Sequence, residues 1–179
     1  MTRGRLTSRP GITLQPARHE GPESDLEFLY QVYASSREDE VAQVTTWTDA
    51  QKEAFLRSQF ELQHRHYHEH YPGARYDLVL EEGRPIGRYP IGRYYVEPME
   101  KEIRIMDVAL LRAFRGRGIG RSLVQDVLDE AGASGRFVSL HVEENNPARR
   151  LYARMGFRDH ADVGVYKLMH WAPDGQGES

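Results

Sequence analysis

Apolar and polar residues alternate over positions 12–15, which predicts a short strand. Leu26, Leu29, Tyr30 and Tyr33 then recur at helical spacing behind Ser24-x-x-Glu27, the pattern of a capping box. No period is clear over residues 35–47, so that stretch, with Glu38, Asp39 and Glu40, is expected to be a loop. A second box, Thr48-x-x-Gln51, opens a helix with Leu56, Phe60, Gln63 and Tyr67 on one face, ending near Pro72-Gly73. Strand signals follow over 76–80, 86–96 and 103–111, with a Gly83-Arg84-Pro85 turn after the first, and the short connections predict an antiparallel meander. Beyond it Ile119, Leu123, Val124, Val127 and Leu128 form a helical stripe, 137–142 a strand, and Ala148, Leu151, Tyr152 and Met155 another helix. Gly156 falls where a helix ends, and 157–171 holds two more strand candidates. Residues 1–11 and 172–179 are polar and rich in Gly, Pro and Ser, so both are expected to be flexible tails around a single domain, 12–171.

One repeat interrupts this pattern: Pro85-Ile-Gly-Arg-Tyr89 is followed at once by Pro90-Ile-Gly-Arg-Tyr94. Strand side chains alternate with period two, so Ile86 and Ile91 cannot share a face of an unbroken strand. Pro90 also lacks the N–H that an interior ladder needs. A bulge or enlarged turn near Pro90 is therefore expected, leaving one copy in the regular strand.

Composition narrows the function. The 179 residues carry a net charge of −3, which does not suit a general nucleic-acid binder. The absence of cysteine excludes a disulfide scaffold, a thiolate metal site and a cysteine nucleophile. Neither a secretory-type apolar stretch nor a membrane-length run occurs, so a cytoplasmic protein with no membrane partner is expected. Lys52, Lys101 and Lys167 are the only lysines among 24 basic residues, which leaves 21 arginines, side chains whose planar fork suits phosphate.

Arginines gather around Arg112-Ala-Phe-Arg115-Gly-Arg-Gly118-Ile-Gly120-Arg121, between a predicted strand and a predicted helix. Alternate glycines allow close backbone approach, and the first N–H groups of a helix lack intrahelical partners. Together with Arg112, Arg115, Arg117 and Arg121 they suit a phosphate or pyrophosphate. A Walker A loop is excluded, because no Gly-Lys pair occurs. The dinucleotide fingerprint fits Gly116 and Gly118 but meets Arg121 at its third glycine, leaving a nucleotide-binding βαβ protein as one alternative.

Arg115-x-x-Gly118-x-Gly120 resembles the acyl-CoA motif of the GCN5-related N-acetyltransferase (GNAT) superfamily, and Ala148-x-x-Leu151-Tyr152-x-x-x-Gly156-Phe157 is similar to that family's second signature. The resemblance implies a mixed α/β (α+β) fold, with a mostly antiparallel sheet, a splayed parallel pair at 103–111 and 137–142, and helices on both faces. It implies acetyl transfer from acetyl-CoA to a primary amine of a small molecule or peptide, by direct attack in a ternary complex of a monomer or homodimer. A CoA-binding sensor or interaction module without turnover is a further alternative.

The resemblance also distributes roles. Leu110, followed by Leu111, would offer backbone groups to the thioester and pantetheine, while Arg115, Gly116, Arg117, Gly118, Ile119 and Gly120 would wrap the pyrophosphate; Arg112, which stands where many relatives have proline, and Arg121 are expected to flank the cofactor. Tyr152 matches the proposed general acid for the departing thiolate, although its place on an apolar stripe alone suits core packing. With a phenol pKa of about 10 and a thiol pKa of about 8.5, it would act mainly as a hydrogen-bond donor. Asn145 or Asn146 would contact the cofactor, depending on the direction of counting. His141 is the preferred base for the amine, with Asp107, Glu143 or water as alternatives and strand packing as the bland reading. Arg104 stands where some relatives carry a catalytic glutamate, which disfavours that mechanism. His64, His66, His68 and His70 form i,i+4 pairs on two faces without an H-E-x-x-H arrangement, so they are expected to be a polar helix end and no metal site is expected.

Overall fold

The computed structural model describes residues 4–83 and 88–173. Among them eight strands form one sheet: β1 (Arg5–Leu6), β2 (Ile12–Pro16), β3 (Arg75–Glu82), β4 (Arg88–Pro98), β5 (Glu102–Leu110), β6 (Phe137–Glu143), β7 (Arg158–Val163) and β8 (Tyr166–Trp171). The order is β1-β2-β3-β4-β5-β6-β8-β7, and every neighbouring pair is antiparallel except β5 with β6. Four helices join them: α1 (Leu26–Ala42), α2 (Asp49–His70), α3 (Ile119–Ser134) and α4 (Ala148–Arg154). The mixed sheet with one parallel pair is the expected fold class.

Strand alternation divides the core between the two faces of the sheet. Val79 of β3 and Val96 of β4 join Ile12, Leu14 and the buried stripe of α3, Ile119, Leu123, Val124, Val127, Leu128 and Ala131. Leu78, Leu80 and Tyr95 face the other way, onto Leu29, Tyr30 and Tyr33 of α1 and Phe60 of α2. The Thr48 capping box forms in full: Gln51 N–H donates to Thr48 Oγ1 at 3.2 Å, and Thr48 N–H donates to Gln51 Oε1 at 2.9 Å.

Several local expectations are corrected. The Ser24 box does not form, since Asp25 occupies the N-cap of α1 without a side-chain capping bond. Ser24 Oγ instead accepts from Leu26 N–H at 3.2 Å, and Glu27 accepts from Arg57 of α2 at 3.0 Å, so a tertiary ion pair takes the carboxylate that the box would use. Helix α1 runs to Ala42, which places Glu38, Asp39 and Glu40 on its final turns rather than in a loop. That end needs no apolar period, because its side chains face solvent and arginine partners: Glu38 and Asp39 pair with Arg112, and Glu40 with Arg37. Within the stretch expected as a tail, Arg5 and Leu6 pair with Leu14 and Thr13, and Arg5 reaches the buried Asp77 at 3.1 Å. His64 and His68 are half-buried, so the polar helix end holds for the exposed His66 and His70 alone.

The repeat produces the expected irregularity. Val79 pairs with Gly92 and Leu80 with Pro90, so Ile91 is the extra, bulged residue, and its side chain is fully buried. Gly92 is required by close approach, because a Cβ there would lie 2.3 Å from the Ala109 carbonyl oxygen. Pro85, Ile86 and Gly87 of the first copy, and most of the predicted turn before them, lie outside the described residues.

Candidate active site

Strands β5 and β6 pair from Glu102–Phe137 to Ile105–Leu140 and no further. At that point β5 bulges: Tyr95 pairs with Asp107 and Val96 with Ile105, leaving Met106 as the extra residue. A bulge bends its strand and increases its twist, so β5 turns from β6, while β6 stays on β8 through Glu143. The parting opens a cleft of about 560 Å³ between residues 105–109 and 140–143, walled by Tyr33 and Arg37 of α1, Tyr67 of α2 and Tyr152 of α4.

One end of β5 leads into the glycine loop. Leu110 is buried, and the N–H of Leu111 donates to the Ile91 carbonyl at 2.9 Å, which fixes the strand end. A 3-10 turn at Arg112–Phe114 follows. Gly116 and Gly118 take φ of 72° and 77°, a left-handed conformation that glycine adopts without a Cβ clash. Gly118 is the N-cap of α3. No heavy atom comes within 4 Å of a Cβ built on Gly116 or Gly120, so the loop's face is open to a large group. The first amides of α3 lack intrahelical acceptors and form the positive end of the helix dipole, while the Ile119 side chain anchors that turn in the core. This arrangement fits a pyrophosphate.

The four arginines around the loop are not equivalent. Arg115 donates from Nε to the Leu110 carbonyl at 2.8 Å and from Nη2 to Ser35 Oγ at 3.1 Å, which shapes the loop from behind. Arg112 is paired with Glu38 at 3.1 Å and Asp39 at 2.8 Å, and Arg117 with Glu81 at 2.5 Å. Arg121 is exposed on the first turn of α3. Backbone amides with Arg121 and with Arg9, which donates to the Arg117 carbonyl at 2.7 Å, thus supply the local positive potential more than a ring of four free guanidinium groups.

In the cleft, Tyr152 packs its ring on Phe157, with 5.7 Å between centroids. Burial, reinforced by the negative Asp107, pushes its phenol up to about 12, so it is a proton-bearing donor at neutral pH. His141 lines the same cleft, and its pKa is lowered by burial and by Arg104. Its ring is therefore neutral at pH 7 and able to accept a proton. Asp107 is held by Arg93, whose Nη2 also donates to Gln63 Oε1 at 2.9 Å. Glu143 accepts from Arg37 at 3.2 Å, a contact that crosses from β6 to α1. Both carboxylates are committed to guanidinium partners, whereas the His141 side chain is exposed at the cleft. Arg104 pairs with Glu102 at 3.0 Å. The two asparagines separate: Asn146 lines the cleft, and its Oδ1 accepts from Ala148 N–H at 2.9 Å in a tight turn across Pro147, the N-cap of α4, while Asn145 is exposed on the turn before it.

Sequence reasoning did not find Arg93, which is 2% exposed and lies near the Tyr33 and Tyr95 rings. Its signal was the repeat itself, since the bulge at Ile91 sends Arg93 to the face shared with Tyr95. Arg37 was also missed, hidden in a stretch without periodicity.

The chain matches the model of the acetyltransferase (GNAT) family over residues 29–157. It is 39% identical over 92 residues to an N-alpha-acetyltransferase RimI of Mycobacterium tuberculosis, a match covering 51% of this chain and 53% of that protein. The fold resembles PaiA N-acetyltransferase from Thermoplasma acidophilum, solved in complex with coenzyme A, with a TM-score of 0.63 at 16% identity, covering 90% of this chain and 98% of that one. It also resembles a GNAT family acetyltransferase from Elizabethkingia anophelis solved with acetyl-CoA bound, with a TM-score of 0.55 at 16% identity over 92% and 99% of the two chains. With the parted parallel strands, the glycine loop and the cleft in place, the chain belongs to the acetyltransferase (GNAT) family.

Proposed function

We propose that this protein transfers the acetyl group of acetyl-CoA to a primary amine by direct attack in a ternary complex. The observation that carries this reading is the parting of β5 from β6 beside Met106, with the glycine loop at one end of the opening and the Tyr152 phenol within it. Acetyl-CoA supplies an activated acyl thioester when bound. The amides at 116–121 hold the pyrophosphate, and backbone groups near Leu110 orient the acyl end. Tyr152 donates its proton-bearing hydroxyl to the sulfur that departs. His141 takes a proton from the incoming ammonium, directly or through water, because an alkylamine with a pKa of about 10.4 is almost wholly charged at pH 7.

Arg37, Arg93 and Arg104 balance Glu40, Asp107 and Glu143 on the cleft walls, so the acceptor is selected by shape and polar contacts more than by net charge. The RimI relative, named an N-alpha-acetyltransferase, supports a peptide α-amine among the candidates. The test is thiol release from acetyl-CoA across peptide α-amines, polyamines, aminoglycosides and amino acids, alongside calorimetry with acetyl-CoA and nicotinamide dinucleotides. Acetyl-CoA binding and release with at least one amine are expected. Binding of acetyl-CoA without turnover on any acceptor favours a sensor instead, and binding only of a dinucleotide overturns both.

A further inference from the structure

We propose that His19, His64 and His68 form a site for a borderline divalent transition metal, Zn²⁺ foremost, clipping the segment after β2 onto α2 outside the acyl-transfer cleft. One ring nitrogen from each of the three lies within 4.8 Å of the others. Zinc binds imidazole nitrogen at about 2.0–2.1 Å, which sets nitrogens of a tetrahedral shell roughly 3.4 Å apart, so small ring rotations close this gap. Helical spacing brings His64 and His68 together, with centroids 4.4 Å apart, and His19 arrives from a different segment, 5.2 Å and 4.5 Å from them. A third ligand from outside the helix turns an i,i+4 pair into a converging set.

Two further properties suit a metal. His19 Nδ1 and His68 Nε2 are buried without a hydrogen-bond partner, an unusual state for ring nitrogens that a metal-directed lone pair resolves. All three rings are half-buried, so a metal held among them would lie partly out of solvent. Three imidazoles without thiolate select zinc and its neighbours over magnesium or calcium, and water completes the shell. By contrast, the exposed His66 and His70 stack at 4.3 Å, and His70 Nδ1 is occupied by the His66 carbonyl at 2.9 Å. Helix α2 carries Gln63 and Tyr67 into the cleft yet buries only Phe60 fully, so a clip at His64 and His68 would steady a cleft wall.

Equilibrium dialysis of the tag-free, chelator-treated full chain against Zn²⁺, with metal content measured by mass spectrometry, is the test. One Zn²⁺ per chain is expected, with affinity falling by more than the about 10- to 100-fold typical of losing an outer-shell partner in His19→Ala and in His64→Ala, and little changed in the His66→Ala/His70→Ala double variant. In the unaltered chain, long-range proton–nitrogen spectra should show Zn²⁺ shifting the rings of His19, His64 and His68 while those of His70 and His141 stay in place. No stoichiometric Zn²⁺, a loss of binding confined to the His66/His70 variant, or ring shifts centred on His70 would each overturn the assignment.

Discussion

The role proposed for Tyr152 rests on two separable parts of a cleft-lining side chain, a ring that packs on Phe157 and a hydroxyl assigned to the departing thiolate. Tyr152→Phe keeps the first and removes the second. Stability is expected to change by about 1 kcal/mol or less, whereas kcat falls about 100-fold, the scale of a lost general acid. Unchanged turnover under saturating acceptor would remove Tyr152 from the chemistry. His141 makes a separate prediction through pH. Burial and Arg104 disfavour its cation, so its pKa lies below 6.5, and kcat/KM is expected to rise with pH along an acid limb that levels off before pH 7. Arg104→Gln removes a positive neighbour, so the limb should move upward, toward 6.5. A limb that persists unchanged in His141→Gln would assign the base elsewhere.

At the scale of elements, the second repeat copy and the α2 cap are the sharpest tests. Gly92→Ala places a Cβ 2.3 Å from a backbone oxygen and 2.7 Å from Leu110 Cδ2, and a carbonyl within a ladder cannot swing aside. A loss of about 2 kcal/mol or more is expected in urea unfolding, whereas a neutral result would mean that β4 and β5 yield. Thr48→Ala removes one half of a formed capping box, with an expected cost of about 1 kcal/mol. Elements with a buried stripe were legible: α3 follows its apolar period, and β3 to β5 follow their turns. The parity of the PIGRY repeat likewise announced the bulge at Ile91. The extent of α1 was not legible, because residues 35–42 are held by solvent-facing ion pairs, and charge pairs leave no period. The Ser24 box failed for a related reason, the tertiary pairing of Glu27 with Arg57, which a four-residue pattern does not contain.

Across the whole molecule, contacts distant in sequence decide what the ends and the cleft do. Arg5 meets Asp77, Ser8 N–H meets Asp126 at 3.1 Å, and Arg9 donates to the Arg117 carbonyl at 2.7 Å, so residues before Gly11 brace both the sheet and the glycine loop. Deleting residues 1–10 is expected to cost about 1–3 kcal/mol, largely because Asp77 is left buried without its partner, and Arg5→Ala should reproduce most of that loss. Equal stability of the truncated chain would return this segment to a dispensable tail. The same distance dependence explains what was hidden in the candidate site. The motif residues of the loop and α4 are local and were legible, but Arg37 reaching Glu143, Arg93 holding Asp107 and His19 meeting α2 are joined only by folding. Finally, the sheet's outer rims offer neighbours little to pair with, since β1 has two residues and β7 is exposed throughout and carries the charges of Arg158, Asp159 and Asp162. Where β5 leaves β6, however, two strand edges face each other inside the molecule, behind helices that keep another protein's sheet away. Unpaired edges are what strand addition exploits, so the helices that wall the cleft also guard the protein against sheet-to-sheet aggregation.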